Sequence, residues 1–182
     1  DWKRVLDVNV QGVVHGVQAV YPVFRAQEFG HIVNVASVAG LFPLAGLLSY
    51  STSKHAVVGL STCLRVEAAS HGVRVSVLCP GAVDTAIVGG GKYGKVLKPL
   101  PEDIQKALWT RGGPIPPQRF ARQALKGIAK NKAILVIPWK WKLLWWIYRL
   151  SPGLGIWLAR RQFLSTQRTV EKMLSKMDSK ST

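Results

Sequence analysis

The stretch of residues 32–54 places a serine, a tyrosine and a lysine at spacings that favour proton-transfer chemistry. Residues 32–36 read as a buried strand that stops at Ser37, and a following helix carries Tyr50 and Lys54, which at i and i+4 share one helix face. An ammonium beside a phenol stabilises the phenolate, so such a tyrosine can exchange a proton with an alcohol or a carbonyl near neutral pH. Ser37 is expected to hold the substrate oxygen and stabilise charge that develops on it.

Apolar strands and the helices between them must position these side chains. Periodicity and β-branched runs predict strands over residues 32–36, 73–79 and 133–137, and helices over residues 1–28, 49–70, 101–109 and 117–130. Alternation of strands and helices is typical of a parallel α/β sheet. Gly30 is predicted to cap the first helix, and Cys63 and Cys79 are interpreted as small core residues of a protein from a reducing compartment.

The sequence here resembles the short-chain dehydrogenase/reductase family. Ser37 is followed thirteen residues later by Tyr50, in a Tyr-x-x-x-Lys motif that ends at Lys54. Pro80-Gly81-x-Val83-x-Thr85 follows the second strand and resembles the family's nicotinamide-side loop. The resemblance covers roughly residues 1–137. It implies the C-terminal part of a doubly wound, Rossmann-like domain over residues 1–138, with a basic, amphipathic helical tail over residues 139–182.

The resemblance also implies roles for individual residues in an oxidoreductase that transfers hydride between NAD or NADP and an alcohol/carbonyl substrate. Tyr50 would be the general acid/base, and Lys54 would support it and touch the nicotinamide ribose. Ser37 would orient the substrate, and Asn9 would help to hold a water that connects the lysine to solvent. The cofactor would be held by Tyr50, Lys54, Pro80, Gly81, Val83 (through its backbone) and Thr85 (through its hydroxyl).

The glycine-rich phosphate loop of the family, Gly-x-x-x-Gly-x-Gly, does not occur in the sequence. Gly89–Gly91 follows the sixth strand of the family order, which is the wrong place for that loop, within a Gly/Pro-rich stretch expected to close over substrate. In the family the loop and the residue that separates NAD from NADP lie in an N-terminal half. We therefore expect the chain to be a C-terminal piece that is inactive by itself.

Positive charge is concentrated in the second half of the chain. Residues 1–91 hold six Lys/Arg against five Asp/Glu, whereas residues 92–182 hold nineteen against four, giving most of the net charge of +16. Residues 139–163 contain five of the seven tryptophans and five basic residues, which is typical of an interfacial helix. Trp139, Leu143, Trp146 and Leu150 share one predicted helical face. The alternative is a helix that packs on the core or on a dimer partner, and residues 165–182 are expected to fray.

These observations leave two classes of function open. The first is the oxidoreductase, expected to be cytoplasmic with a peripheral membrane contact through residues 139–163, to act on a lipophilic small-molecule alcohol or ketone, and, by family resemblance, to form a homo-oligomer. The second is a non-catalytic membrane- or partner-binding module. The tryptophans cluster with Leu and Ile instead of following a basic groove, which argues against nucleic-acid binding. The four histidines show no metal-ligand spacing with the cysteines, so no metal site is predicted.

Overall fold

Three parallel strands organise the fold. The computed structural model describes residues 2–85 and 101–181. Strands β1 (Gly30–Val35), β2 (Val73–Pro80) and β3 (Ile134–Ile137) pair in the order β1-β2-β3. The predicted parallel α/β architecture is confirmed. Gly89–Gly91 and the neighbouring part of the stretch expected to close over substrate lie outside the described residues.

Helices precede, connect and follow these strands. They are α1 (Trp2–Leu6), α2 (Gly12–Ala26), α3 (Leu48–Ala68), α4 (Glu102–Arg111), α5 (Pro117–Ala129), α6 (Trp139–Leu150) and α7 (Pro152–Ser181). A π-helical turn (Asp7–Gln11) joins α1 to α2, so the predicted first helix contains an irregular turn. Short 3₁₀ turns cover Val38–Gly40 and Ala69–His71.

The side chains of β2 alternate between two helical layers. Val75 and Val77 face α3, whereas Leu78 packs on the opposite side with residues of α5. This is the period of two expected for a strand that is covered on both faces. The packing of α3 on the sheet positions the edge at which the carboxyl ends of β1 and β2 lie.

The inner face of α3 contains two buried serines. Its buried residues are Ser53, Val57, Ser61, Leu64 and Ala68. Cys63 lies off this face and is exposed, so its interpretation as a core residue is wrong, whereas Cys79 is buried as expected. The buried hydroxyl of Ser61 forms two hydrogen bonds: it donates to the carbonyl of Val57 (2.6 Å) and accepts from the amide of Asn34 on β1 (3.0 Å). Hydrogen bonding of this kind offsets the cost of burying the hydroxyl and fixes α3 against β1.

Two predictions at helix ends are wrong. Gly30 does not cap a helix; it pairs with Val73 as the first residue of β1, and Glu28 takes the left-handed conformation at φ 55°. The C-terminal residues do not fray, because α7 continues to Ser181 and is tied to α4 by a hydrogen bond from Arg111 to Thr169 (3.3 Å).

The C-terminal helices lie against the main core through one side of α6. Trp141, Trp145 and Tyr148 pack on the cluster that contains Val77 and Cys79. The predicted division at residue 138 stays a prediction. Within the described ranges, no helix combines the length and the apolar character that crossing a membrane requires.

Candidate active site

Ser37 lies where the carboxyl ends of β1 and β2 meet. Its extended backbone (φ −168°, ψ 163°) opens the 3₁₀ turn, and its Oγ accepts from the backbone N–H of Ala39 at 3.2 Å. The same hydroxyl donates to the carbonyl of Pro80 at 3.4 Å. Ligands of open α/β sheets bind outside the carboxyl ends of the strands, so this serine stands at the expected edge.

Tyr50 and Lys54 approach the same edge from the first turns of α3. The Lys54 Nζ lies 5.5 Å from the centroid of the Tyr50 ring, within the range of a cation–π contact. It also donates to the carbonyl of Val35, two residues before Ser37, at 3.3 Å. Burial lowers the pKa of Lys54 below its ordinary value of 10.5. The structure thus brings Ser37, Tyr50 and Lys54 together, with the ammonium partly desolvated and held beside the phenol.

Gly40 allows the turn after Ser37 to touch the backbone of α3. A Cβ at this position would overlap the carbonyl oxygen of Lys54 and lie 2.6 Å from its carbonyl carbon. Real Cβ atoms do not approach backbone so closely, so only glycine fits between the two segments. Gly40 was not predicted to be important for the site. Its position three residues after Ser37, in a turn between a strand and a helix, could have indicated it.

Asn9 reaches the site through a buried serine. Its Nδ2 donates to the Oγ of Ser53 at 3.0 Å, and that hydroxyl donates to the backbone carbonyl of Tyr50 at 2.7 Å. Asn9 lies inside the π-helical turn, and such turns redirect side chains by inserting a residue into the helix. The resulting chain of hydrogen bonds fixes the first turn of α3 against the N-terminal helix. Ser53, which the sequence analysis also missed, is fully buried.

Cys79 lies beneath Ser37 as a buried thiol. The backbone N–H of Ser37 is bonded to its sulfur, but burial has the larger effect and raises the pKa of Cys79 to about 12. A thiol with such a pKa stays protonated near neutral pH and is a poor nucleophile. Cys79 therefore belongs to the packing below the site.

The segment from Pro80 to Thr85 leaves β2 along a backbone that is fixed on one side. The N–H of Gly81 donates to the carbonyl of Ile137 at 2.8 Å. Val83 forms a parallel bridge with Ile115, whose hydrogen bonds run to the backbone of Ala82 and Asp84. The N–H and carbonyl of Val83 itself consequently point away from Ile115. Thr85 is exposed at the end of the described segment.

Trp141 of α6 connects the two loops that border the site. Its indole occupies the space that a side chain at Gly81 would need, because a Cβ there would overlap Nε1. The same ring stacks on Phe42, in the loop after Ser37, with centroids 6.0 Å apart and an interplanar angle of 13°. From the sequence, α6 was predicted to belong to a tail. Its contact with the site was not predicted, because only the fold brings residue 141 next to residues 42 and 81.

Among the described residues, no three His, Cys, Asp or Glu side chains come together as a set that could hold a metal ion. The polar groups near Ser37 are hydroxyls, an amide, a phenol and an ammonium. Such groups are suited to hydrogen bonding and proton transfer.

The close contact at Gly40 predicts opposite effects for two glycine substitutions. Gly40→Ala should lower the free energy of unfolding by about 1–3 kcal/mol, because the methyl group must displace the backbone of α3. Gly59→Ala is the matched control: nothing lies within 4 Å of its added Cβ, and alanine should stabilise the helix by about 0.5–1 kcal/mol. Urea denaturation of both variants measures the effects. Equal stability of Gly40→Ala and the wild type would contradict the contact.

The lowered pKa of Lys54 predicts that stability depends on alkaline pH. Between the folded pKa and 10.5 the unfolded state binds more protons than the folded state, so the free energy of unfolding rises with pH in that window. Below the window the full cost of burying the charge is present. Lys54→Met should lose this rise, whereas Lys126→Met, at an exposed lysine of α5, should retain it. Unfolding midpoints over a pH series test this; parallel curves for the wild type and Lys54→Met would exclude it.

Comparison with known sequences identifies the family. A sequence model of the family described as short chain dehydrogenase matches residues 1–92. A dehydrogenase/reductase SDR family protein 7-like protein from Anopheles gambiae is 30% identical over 166 residues, 87% of this chain and 49% of that protein. An uncharacterised oxidoreductase from Staphylococcus saprophyticus is 39% identical over 106 residues, 58% of this chain and 45% of that protein. The chain spans about half the length of these two curated relatives.

Solved structures show the same relationship. A short-chain dehydrogenase/reductase from Burkholderia phymatum, in complex with NAD, is 28% identical with a TM-score of 0.70, over 85% of this chain and 59% of that one. A short-chain dehydrogenase from Sphingobium yanoikuyae, in complex with NADPH, shares the fold at 23% identity with a TM-score of 0.62, over 79% of this chain and 52% of that one. The resemblance seen in the motifs is thereby confirmed, and the chain belongs to the short-chain dehydrogenase family.

Proposed function

We propose that this chain carries the catalytic residues of an oxidoreductase that transfers hydride between NAD or NADP and an alcohol/carbonyl pair. The observation that carries the proposal is the meeting of Ser37, Tyr50 and Lys54 at the carboxyl ends of β1 and β2. A non-catalytic module would have no use for a partly buried ammonium held beside a phenol. Burial of that charge costs stability, which suggests that it serves chemistry.

Tyr50 is the proposed general acid/base. In the reducing direction its phenol gives a proton to the carbonyl oxygen of the substrate, and in the oxidising direction the phenolate accepts the proton of the alcohol. The Lys54 ammonium is held beside the phenol, 5.5 Å from the centroid of the Tyr50 ring, and burial lowers the pKa of the lysine itself. Its bond to the carbonyl of Val35 holds the ammonium in place between turnovers.

Ser37 is the proposed orienting residue. Its hydroxyl donates to the carbonyl of Pro80 at 3.4 Å, near the long limit for a hydrogen bond. Turning that proton towards a substrate oxygen therefore gives up a weak bond. The bond accepted from the N–H of Ala39 is kept, and it holds the oxygen in place while the proton turns.

The cofactor's nicotinamide end fits the segment that follows β2. Pro80 and Gly81 turn the chain beside Ser37, and the N–H and carbonyl of Val83 point away from its bridge to Ile115, on the side where a carboxamide is proposed to bind. The hydroxyl of Thr85 is the second proposed partner of that group. When bound, the nicotinamide supplies or accepts the hydride. The related Burkholderia phymatum protein, a structure in complex with NAD, supports a nicotinamide dinucleotide as the cofactor.

Asn9 is proposed to support the proton relay. Its amide is bonded to Ser53, which is bonded to the backbone of Tyr50, so it holds the helix turn that carries the acid/base. Its carbonyl oxygen can accept a further bond from water, since an amide both donates and accepts.

The substrate is proposed to be lipophilic, such as a steroid, a retinoid or a long-chain alcohol or ketone. Leu47 and Leu48 stand three and two residues before Tyr50, with 49% and 73% of their surface exposed. Apolar side chains beside the acid/base favour a substrate that can bury them, at roughly 25 cal/mol for each Å² removed from water.

The whole protein is proposed to be a cytoplasmic homo-oligomer. Its phosphate-binding loop is proposed to lie outside these 182 residues, so that the chain by itself is inactive. β1, one of the two outer strands of the described sheet, is where further strands would pair.

Tyr50→Phe tests the acid/base role. Removing the exchangeable proton should lower turnover of a long-chain secondary alcohol by about 10²-fold or more in the complete protein, with unchanged folding. Tyr21→Phe, at a half-buried tyrosine packed with Phe24 near the opposite strand ends, is the matched control and should keep full activity. Initial rates of NADH or NADPH formation measure both. Near-normal turnover in Tyr50→Phe would exclude the assignment.

The 182-residue chain alone tests where the cofactor's phosphates bind. Without a glycine-rich phosphate loop it should give no saturable heat on titration with NADH or NADPH, whereas the complete protein should bind one of them. The phosphates normally provide much of the anchoring through helix N-terminal N–H groups. Saturable binding by the 182 residues in calorimetry would show that they hold a sufficient site.

A further inference from the structure

Helix α6 has two apolar sides; among the residues that the structure describes, one side packs on the core and the other is exposed. On the inner side, Trp141, Trp145 and Tyr148 pack on the core. The other side carries Trp139, Leu143, Trp146 and Leu150, a set we call the α6 outer stripe. Its members recur at intervals of four, three and four residues, which places them along one line of the helix.

The outer stripe is open to solvent. Trp139 is 75% exposed, Leu143 56%, Trp146 46% and Leu150 79%. Single exposed apolar residues are ordinary, but four in a line on one helix mark an interaction surface. Tryptophan also adapts to a boundary between apolar and polar surroundings, because its large apolar ring carries a polar N–H.

Positive charge flanks the stripe. Lys142 and Arg149 are exposed along one side of it, and Arg149 lies over the Trp145 ring at 5.6 Å from the guanidinium carbon. Arg160 and Arg161 follow in α7, where Arg161 stands 4.9 Å from the Trp157 ring. Residues 139–163 contain no Asp or Glu. Lys140 is excluded from this set because its Nζ donates to the carbonyls of Gly112 and Gly113.

We propose that the α6 outer stripe, with Lys142 and Arg149 beside it, docks on an anionic lipid surface. The indole and leucine side chains would enter the boundary between headgroups and acyl chains, and the two cations would face the lipid phosphates and carboxylates. This is a contact in the plane of the membrane. It rests on the exposure and charge of α6 and is independent of the proposed oxidoreductase chemistry.

The charge pattern favours a lipid surface over a second copy of this chain. A two-fold contact places the same patch on both partners, so the basic flank of one stripe would lie against or beside that of the other, and residues 139–163 contain no Asp or Glu to offset the charge. Like charges brought together in this way oppose association. An anionic membrane complements them over its whole area.

Vesicle co-sedimentation tests the proposal. The complete protein should bind vesicles of phosphatidylcholine mixed with phosphatidylserine, bind vesicles of pure phosphatidylcholine weakly, and bind the mixed vesicles more weakly, but still measurably, at high salt. Lys142→Glu/Arg149→Glu should lower partitioning onto the mixed vesicles by at least about tenfold. Lys126→Glu/Lys130→Glu, which reverses two exposed lysines on and just after α5, is the matched control and should bind nearly as the wild type does.

The apolar part of the contact needs its own pair of variants. Trp139→Ser/Trp146→Ser should reduce vesicle binding at low and high salt alike, whereas Val66→Ser/Leu125→Ser, at exposed residues of α3 and α5, should not. Circular dichroism checks that each variant is folded. Absence of vesicle binding by the wild type, or equal losses in both pairs, would overturn the proposal. If sedimentation shows that Trp139→Ser/Trp146→Ser dissociates an oligomer instead, the stripe is a self-association surface and the lipid proposal is wrong.

Discussion

Two pieces of backbone touch at Gly40 with no side chain between them, and the geometry of the candidate site depends on this contact. The turn after β1 lies directly on α3 at Lys54, so Ser37 and the lysine are held by the same contact. The hydrogen bond from Lys54 to Val35 closes the arrangement from the other side. A separation larger by one methyl group would move a strand end away from a helix turn, and proton transfer tolerates little misplacement.

Side-chain hydrogen bonds position α3 more precisely than apolar packing alone. Asn34 on β1 and Asn9 in the π-helical turn each donate to a serine on the inner face of α3. Apolar contacts alone would permit α3 to slide or rotate, whereas each amide–hydroxyl pair is satisfied in one position only. The two pairs act on different turns of the helix, and so they set its position along the sheet as well as its rotation. Tyr50 and Lys54 inherit that precision because they belong to the same rigid helix.

The sequence predicted the parts of this protein that are governed by local pattern. Strand positions, the start of α3 and the parallel arrangement all follow from apolar periodicity and turn residues, and the spacing of Ser37, Tyr50 and Lys54 together with the Pro80–Thr85 stretch indicated the family. What it did not predict depends on contacts between distant segments. Trp141 meets Gly81 only in the fold, the interior role of Ser61 requires Asn34 as a partner, and Cys63 is exposed because helix rotation, which composition does not encode, turns it outward. A helical tail was predicted, but the continuation of α7 through residues 165–181 was not, since a polar sequence can form a helix when tertiary contacts hold part of it.

The two cysteines differ in solvent exposure, so their alkylation rates can be used to measure local opening of the protein. Cys63 faces solvent on α3, whereas Cys79 is sealed under Ser37 by the turn that Gly40 holds in place. An alkylating reagent can react with the exposed Cys63 directly. It can react with the buried Cys79 only when the turn after Ser37 separates from the sheet. The labelling rate of Cys79 therefore reports the free energy of local opening directly beneath Ser37, separately from global unfolding. A ligand that holds that turn closed would slow the labelling of Cys79 and leave that of Cys63 unchanged.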